Sequence, residues 1–129
     1  MSDILAGAYL AKGSMGSGLA GAPTATFSLV VVPSQHSVSG TVVITQAIQG
    51  PDSHLVIQVK GKIYSTGLGQ YTQAVTLSGQ YVHSVPPPAI GSFLADFNAH
   101  MAIDNSWNGT GGFSYWKHDI ENVPVKAIK

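Results

Sequence analysis

From Phe93 to Asp104 the chain alternates with a period of two. Phe93, Ala95, Phe97, Ala99, Met101 and Ile103 take the odd positions, and Asp96, Asn98, His100, Ala102 and Asp104 take the even ones. An extended strand sorts these two sets onto opposite faces, whereas a helix would scatter both around its circumference. His54 to Tyr64 repeats the pattern, with Leu55, Ile57, Val59 and Ile63 on one side and Gln58, Lys60 and Lys62 on the other. Between Tyr71 and Val82 the apolar set is Tyr71, Val75, Leu77 and Tyr81, against Thr72, Thr76, Ser78 and Gln80. Thr24 to Val32 is rich in Thr, Val and Phe. No amphipathic helical stretch accompanies these segments, so the chain is all-β.

The turn signals divide the rest. Ile4–Ala11 reads as a first strand, and Gly13 to Ala22 as a Gly- and Ser-rich loop. Pro33-Ser34-Gln35-His36 is a turn that sends Val38–Ile48 back, with Gly40, Val42, Ile44 and Ile48 on one face. Ser84 to Gly91 is a second loop, extended by the triple proline Pro86, Pro87 and Pro88. Asn108 to Gly112 reads as a turn cluster ahead of Phe113–Lys117. Glu121–Ile128 makes a last strand, whose Pro124 points to an edge position or a bulge. About eight short antiparallel strands in a single domain over residues 1–129 predict a small up-and-down β-barrel, with a β-sandwich as the alternative. The expected core contains Leu55, Ile57, Val75, Leu77, Phe97, Met101 and Ile103.

Composition narrows the function. Charged residues are 9% of the 129, against about 25% in an ordinary soluble domain. Six Lys balance five Asp and one Glu, for a formal charge of zero, and there is no Arg. Without excess positive charge or the guanidinium fork, nucleic acid is not an expected partner. The absence of Cys excludes disulfides, thiolate metal sites and thiol nucleophiles. The N-terminus has no basic region ahead of an apolar run and is a poor secretory signal. No stretch approaches the roughly 20 apolar residues of a membrane-spanning helix, so a cytoplasmic location is the default expectation, with export by another route left open. Low charge also favours self-association. Thr24–Val32 carries Phe27, Leu29 and Val31 on one face and Val30 and Val32 on the other, and a strand apolar on both sides needs cover on both. The expectation is a homo-oligomer, most simply a dimer.

Two constellations are candidate ligand sites. The first is the polar face Asp96, Asn98 and His100, continuing to Asp104. Alternate residues stand roughly 6.5–7 Å apart, so an acid–base or metal site here needs partners from other strands, such as His54, His83 or His118. The plain reading is a solvated outer wall, and the sharper one a pocket wall inside the barrel. The second is the loop Asp104, Asn105, Ser106, Trp107, Asn108, in which Trp beside Asp and Asn suits a sugar through stacking and hydrogen bonding. Its plain reading is a hairpin loop whose Trp caps the barrel end. The glycines from Gly13 to Gly21 lack the Lys-Ser or Lys-Thr of a phosphate-binding loop, and no nucleophile elbow or Ser-x-x-Lys spacing occurs. No catalytic residue, metal site or cofactor is expected.

Three stretches carry a family likeness. Ser37-Val38-Ser39-Gly40-Thr41-Val42-Val43-Ile44-Thr45-Gln46-Ala47 resembles the SGxxxITQA stretch of a bacterial family known as domain of unknown function 1842. Met101-Ala102-Ile103-Asp104-Asn105-Ser106-Trp107-Asn108-Gly109-Thr110-Gly111 is similar to its MxLDxxWxxGTxxY stretch, and Ile120-Glu121-Asn122-Val123-Pro124-Val125-Lys126 to its closing VxNxPVK. These are turn and strand signatures covering about a third of the chain, and the resemblance implies no catalytic residues. The residues alone favour a non-catalytic, lectin-like binding module that holds a glycan or apolar small ligand at the barrel mouth or end loops, with aromatic contact area from Tyr64, Tyr71, Tyr81, Trp107 and Trp116. A self-assembling structural protein and a small barrel cyclase or isomerase are the alternatives.

Overall fold

Each alternating segment is a strand, and the strands pair in chain order until the last meets the first. The computed structural model describes residues 8–46, 54–67, 69, 71–84 and 91–128. The strands are β1 (Tyr9–Met15), β2 (Thr24–Val32), β3 (Ser37–Thr45), β4 (His54–Ser65), β5 (Gln73–Ser84), β6 (Ser92–Ile103), β7 (Gly109–Tyr115) and β8 (His118–Ala127). All pairings are antiparallel and the sheet closes as an up-and-down barrel, β1 to β8. Closure pairs most of the edges that such apolar strands would otherwise expose.

The apolar half of every alternation points inward. Phe27, Phe97, Phe113 and Tyr115 are among the largest fully buried side chains, packed with Met15, Leu29, Ile44, Ile57 and Ile103. Of the expected core residues, Leu55 is only partly buried and the others are fully enclosed. A filled interior needs small residues beside large ones. One inward ring runs Leu29, Gly40, Val59, Gly79, Phe97 and Tyr115 across six consecutive strands. At Gly79 a Cβ would lie 2.3 Å from the Gln58 carbonyl oxygen, so only glycine lets β4 and β5 approach there. Outward positions carry Ser, Thr, Gln, Lys, Asp and Asn, interspersed with exposed Leu10, Val30, Val56, Tyr64, Val82 and Leu94. No described helix is long and apolar enough to cross a membrane.

Several boundaries move. The first strand is described from Tyr9 and runs on to Met15, absorbing Gly13, whose missing Cβ makes room for the Phe27 ring 2.4 Å from where that atom would stand. Ile4 to Gly7 lie outside the described residues, as do Ala47, Ile48 and the triple proline. Gly109 to Gly112 are strand and not turn. Gly111 faces inward opposite Met101, and a bulge between Gly111 and Phe113 absorbs the irregularity. The turn itself lies upstream, at Asp104–Asn108. Pro124 occupies the thinnest part of the wall, because β1 and β8 pair only from Gly13–Ala127 to Met15–Val125. Its carbonyl accepts the Gly16 N–H at 3.2 Å, so the nitrogen that cannot donate faces this short seam.

Candidate functional site

The two sequence candidates meet different fates. In the loop, Asp104 Oδ1 accepts the backbone N–H groups of Ser106 at 2.8 Å and Asn108 at 3.0 Å. The backbone N–H of Asp104 donates to the Asn108 carbonyl at 2.9 Å, and that of Trp107 donates to the Asp104 carbonyl at 3.1 Å. Asn105 Oδ1 accepts from Thr72 Oγ1 and Gln73 Nε2 at 3.3 and 3.2 Å, tying the loop to the start of β5. Asn108 Oδ1 accepts the Ala127 N–H at 3.0 Å and ties it to β8. Trp107 is only 5% exposed. Its ring packs at 5.7 Å from Phe27, and its Nε1–H donates to Tyr9 Oη at 3.2 Å. The Trp therefore plugs one end of the barrel, and its ring is no open platform for a sugar. A depression of about 560 Å³ lies beside the loop, lined by Tyr71, Asp104, Asn108, Pro124 and Lys126 among others.

The strand face behaves otherwise. Asp96, Asn98 and His100 are all exposed on the outside of β6, so the face is an outer wall and not the lining of a lumen. Register then gathers neighbours that the chain order keeps apart. Ser39, Lys60, Ser78 and Asn98 lie directly opposite one another across β3, β4, β5 and β6. One step along, Gln58 of β4 and the pair Gln80–Asp96 flank this row. Together they border an open groove of about 740 Å³ that reaches the wall at Val59 and Gly79.

The groove sits where β4 and β5 part company. Val59 opposite Gly79 is the last pair between these two strands, although β4 continues back to His54 and β5 forward to Ser84. Inside the groove Gln80 Nε2 donates to Asp96 Oδ1 at 3.0 Å, and Ser78 Oγ lies 3.5 Å from the Lys60 carbonyl. Among the described residues the side chains of Gln58, Lys60 and Asn98 make no hydrogen bond, so their donors and acceptors face solvent.

The histidines do not assemble around this face. His100 Nε2 stands 3.6 Å from Glu121 Oε1 across the small Gly112. His83 is 2% exposed, stacked on Trp116 at 4.1 Å and beside Phe93 at 5.1 Å. His118 stacks on Tyr115 at 4.6 Å. No group of three or more His, Cys, Asp or Glu side chains placed to hold a metal occurs among the described residues. Of the aromatics named from the sequence, Tyr81 is buried with Trp107, while Tyr64 and Trp116 are exposed at opposite ends of the barrel.

Gln58, Lys60, Ser78 and Gln80 stand out in the sequence only as the polar halves of alternating strands. Their convergence with Asp96 and Asn98 depends on register, which one strand at a time does not reveal.

No curated protein matches the chain. The family model for domain of unknown function DUF1842 matches residues 6–119, from β1 to the first residues of β8, and the chain belongs to that family.

Proposed function

We propose that the barrel is a non-catalytic binding module whose outer groove over β3 to β6 takes a glycan. The observation that carries this is the set of unengaged side chains, Gln58, Lys60 and Asn98, beside Ser78, Gln80 and Asp96 around one depression. Carboxamides both donate and accept, a lysine donates and a carboxylate accepts. This mixture matches a ligand dense in hydroxyl groups, each of which is donor and acceptor at once. One positive and one negative side chain leave the groove without a strong field, which disfavours a highly charged ligand. The packed interior supports an outer site over a lumen, and the amides and hydroxyls around the groove offer hydrogen-bond partners that an apolar ligand would leave unused. With no aromatic ring in the groove lining, affinity rests on hydrogen bonds, and binding is expected to be weak for a single sugar and stronger for an oligosaccharide spanning the row.

A glycan array followed by amide chemical-shift mapping tests this. The expected result is a set of bound glycans whose shifts cluster at Ser39, Gln58, Lys60, Ser78 and Asn98. Shifts confined to the Asp104–Asn108 loop, or no glycan bound at millimolar concentration, would refute it.

A further inference from the structure

β5 and β6 pair along their whole length, from Gln73–Ile103 to Ser84–Ser92. Their outer neighbours stop short. β4 leaves β5 at Gly79, and β7 leaves β6 at Phe97. Among the described residues no other strand pairs beyond these points, so 80–84 and 92–96 run on past β4 and β7 as a two-stranded ribbon roughly 16 Å long. The turn after β7 sets this length. Tyr115 lies opposite His118, and Trp116 between them has φ 48°, which swings the chain away from β6.

The Trp116 ring then stacks on His83, with Phe93 alongside, and packs one face of the ribbon. Tyr81, His83 and Ala95 are buried on that face. On the other face Val82 and Leu94 lie directly opposite each other and are 61% and 64% exposed. Along the β6 edge Ser92, Phe93, Leu94 and Asp96 are all exposed, whereas β5 buries Tyr81 and His83.

An unpaired strand edge offers a row of backbone donors and acceptors to any added strand, and proteins ordinarily blunt such edges with charge or proline. The β8 strand does so. Its stretch ahead of the short β1 seam carries Asp119, Glu121 and Pro124. The described residues of the ribbon, 80–84 and 92–96, include no lysine and no proline. Its single charged residue among the described positions is Asp96, at its base and already accepting from Gln80.

We propose that the β6 edge, Ser92–Asp96, pairs antiparallel with the same edge of a second copy of this chain, on a two-fold axis through Leu94. The occupant follows from self-complementarity. In this register Leu94 meets Leu94, Phe93 meets Ala95 and Ser92 meets Asp96. Each exposed apolar residue gains an apolar partner, and each carboxylate faces a hydroxyl. The two Asp96 side chains stay roughly 13 Å apart along the strand. The chain's formal charge of zero adds no long-range repulsion between copies. Such an isologous contact closes at two copies and does not propagate.

Sedimentation velocity at micromolar concentration is expected to show a species of twice 13.4 kDa. Leu94→Lys and Leu94→Glu chains should each run at half that mass, with unchanged circular dichroism. Mixing the two should restore the dimer, because the axis places the lysine against the glutamate. A second measurement uses the absence of cysteine. Leu94→Cys should oxidise to a covalent dimer, since paired positions across antiparallel strands lie within disulfide reach, while Val30→Cys should not. A monomeric wild-type chain at high micromolar concentration would overturn the proposal. So would a dimer that survives Leu94→Lys but dissociates with Val30→Lys, which would move the contact to the outer face of β1 and β2, where Val30 and Leu10 stand opposite each other.

Discussion

The Asp104–Asn108 loop and the Asp96–His100 strand face have nearly the same polar composition, yet opposite relations to their own backbone. In the loop Asp104, Asn105, Trp107 and Asn108 are all used. Asp104 holds two N–H groups, Asn105 and Asn108 each bridge to another strand, and Trp107 fills the barrel end. At Asn98 the backbone is satisfied by the ladders to β5 and β7, and among the described residues the side chains of Asn98, Gln58 and Lys60 hold nothing local. Asp and Asn in a turn tend to be consumed by the turn. The same residues on a regular strand are left over for something else. An Asp–Asn–Trp cluster is therefore weaker evidence for a ligand site in a hairpin loop than a polar row on a sheet.

The largest expected effect is at the plug. Trp107→Ala removes a buried aromatic ring that contacts Phe27 and is expected to cost about 3–5 kcal/mol, similar to Phe97→Ala in the middle of the core, where Phe97 is fully enclosed. Trp107→Phe keeps most of the packing and loses the Nε1–H bond to Tyr9, for about 1 kcal/mol. Urea denaturation measures all three. If Trp107→Ala costs under 1 kcal/mol, the ring is not structural and the loop regains its standing as a sugar platform. The left-handed backbone at Trp107, φ 65°, supports the structural reading, because a bulky residue holds that conformation only when the surroundings impose it.

Asp104→Ala comes next. It frees the N–H groups of Ser106 and Asn108 in a partly exposed turn, which resembles the loss of a helix cap and should cost about 1–2 kcal/mol. Asp104→Asn keeps an acceptor and should recover most of that. A stability unchanged by Asp104→Ala, paired with a loss of glycan binding, would reverse the assignment of the two regions.

How much of this was legible depends on the range of the interaction. Strands follow from alternation, which is local, and Thr24–Val32 begins and ends where its composition indicates. The loop's role is nearly as local, since Asp104 reaches only two and four residues ahead. Gly109–Gly112 misleads because glycine serves both turns and crowded strand positions. Here the crowding comes from Ala102 and His100 on β6 and from Ile120 on β8, a fact of register. The groove and the ribbon are further from view. Both exist because β4 and β7 leave their neighbours at Gly79 and Phe97, and neither departure is marked on any single strand.

The smallest stability effect is the sharpest test of the comparison. Asn98 is exposed, stands on a central strand and bonds to no other side chain among the described residues. Asn98→Ala should therefore change stability by no more than about 0.5 kcal/mol, and Gln58→Ala likewise. If these amides contact the ligand, each deletion removes one or two hydrogen bonds at about 0.5–1.5 kcal/mol apiece. Binding should then weaken roughly 2- to 150-fold while the denaturation midpoint stays in place. Titration calorimetry with a glycan selected on the array, alongside urea denaturation of the same samples, reads both quantities. Loss of affinity without loss of stability is the signature of a side chain held ready for a ligand. A drop of more than 1 kcal/mol in stability would show that Asn98, like Asn108, serves the fold, and the contrast between strand and loop would collapse.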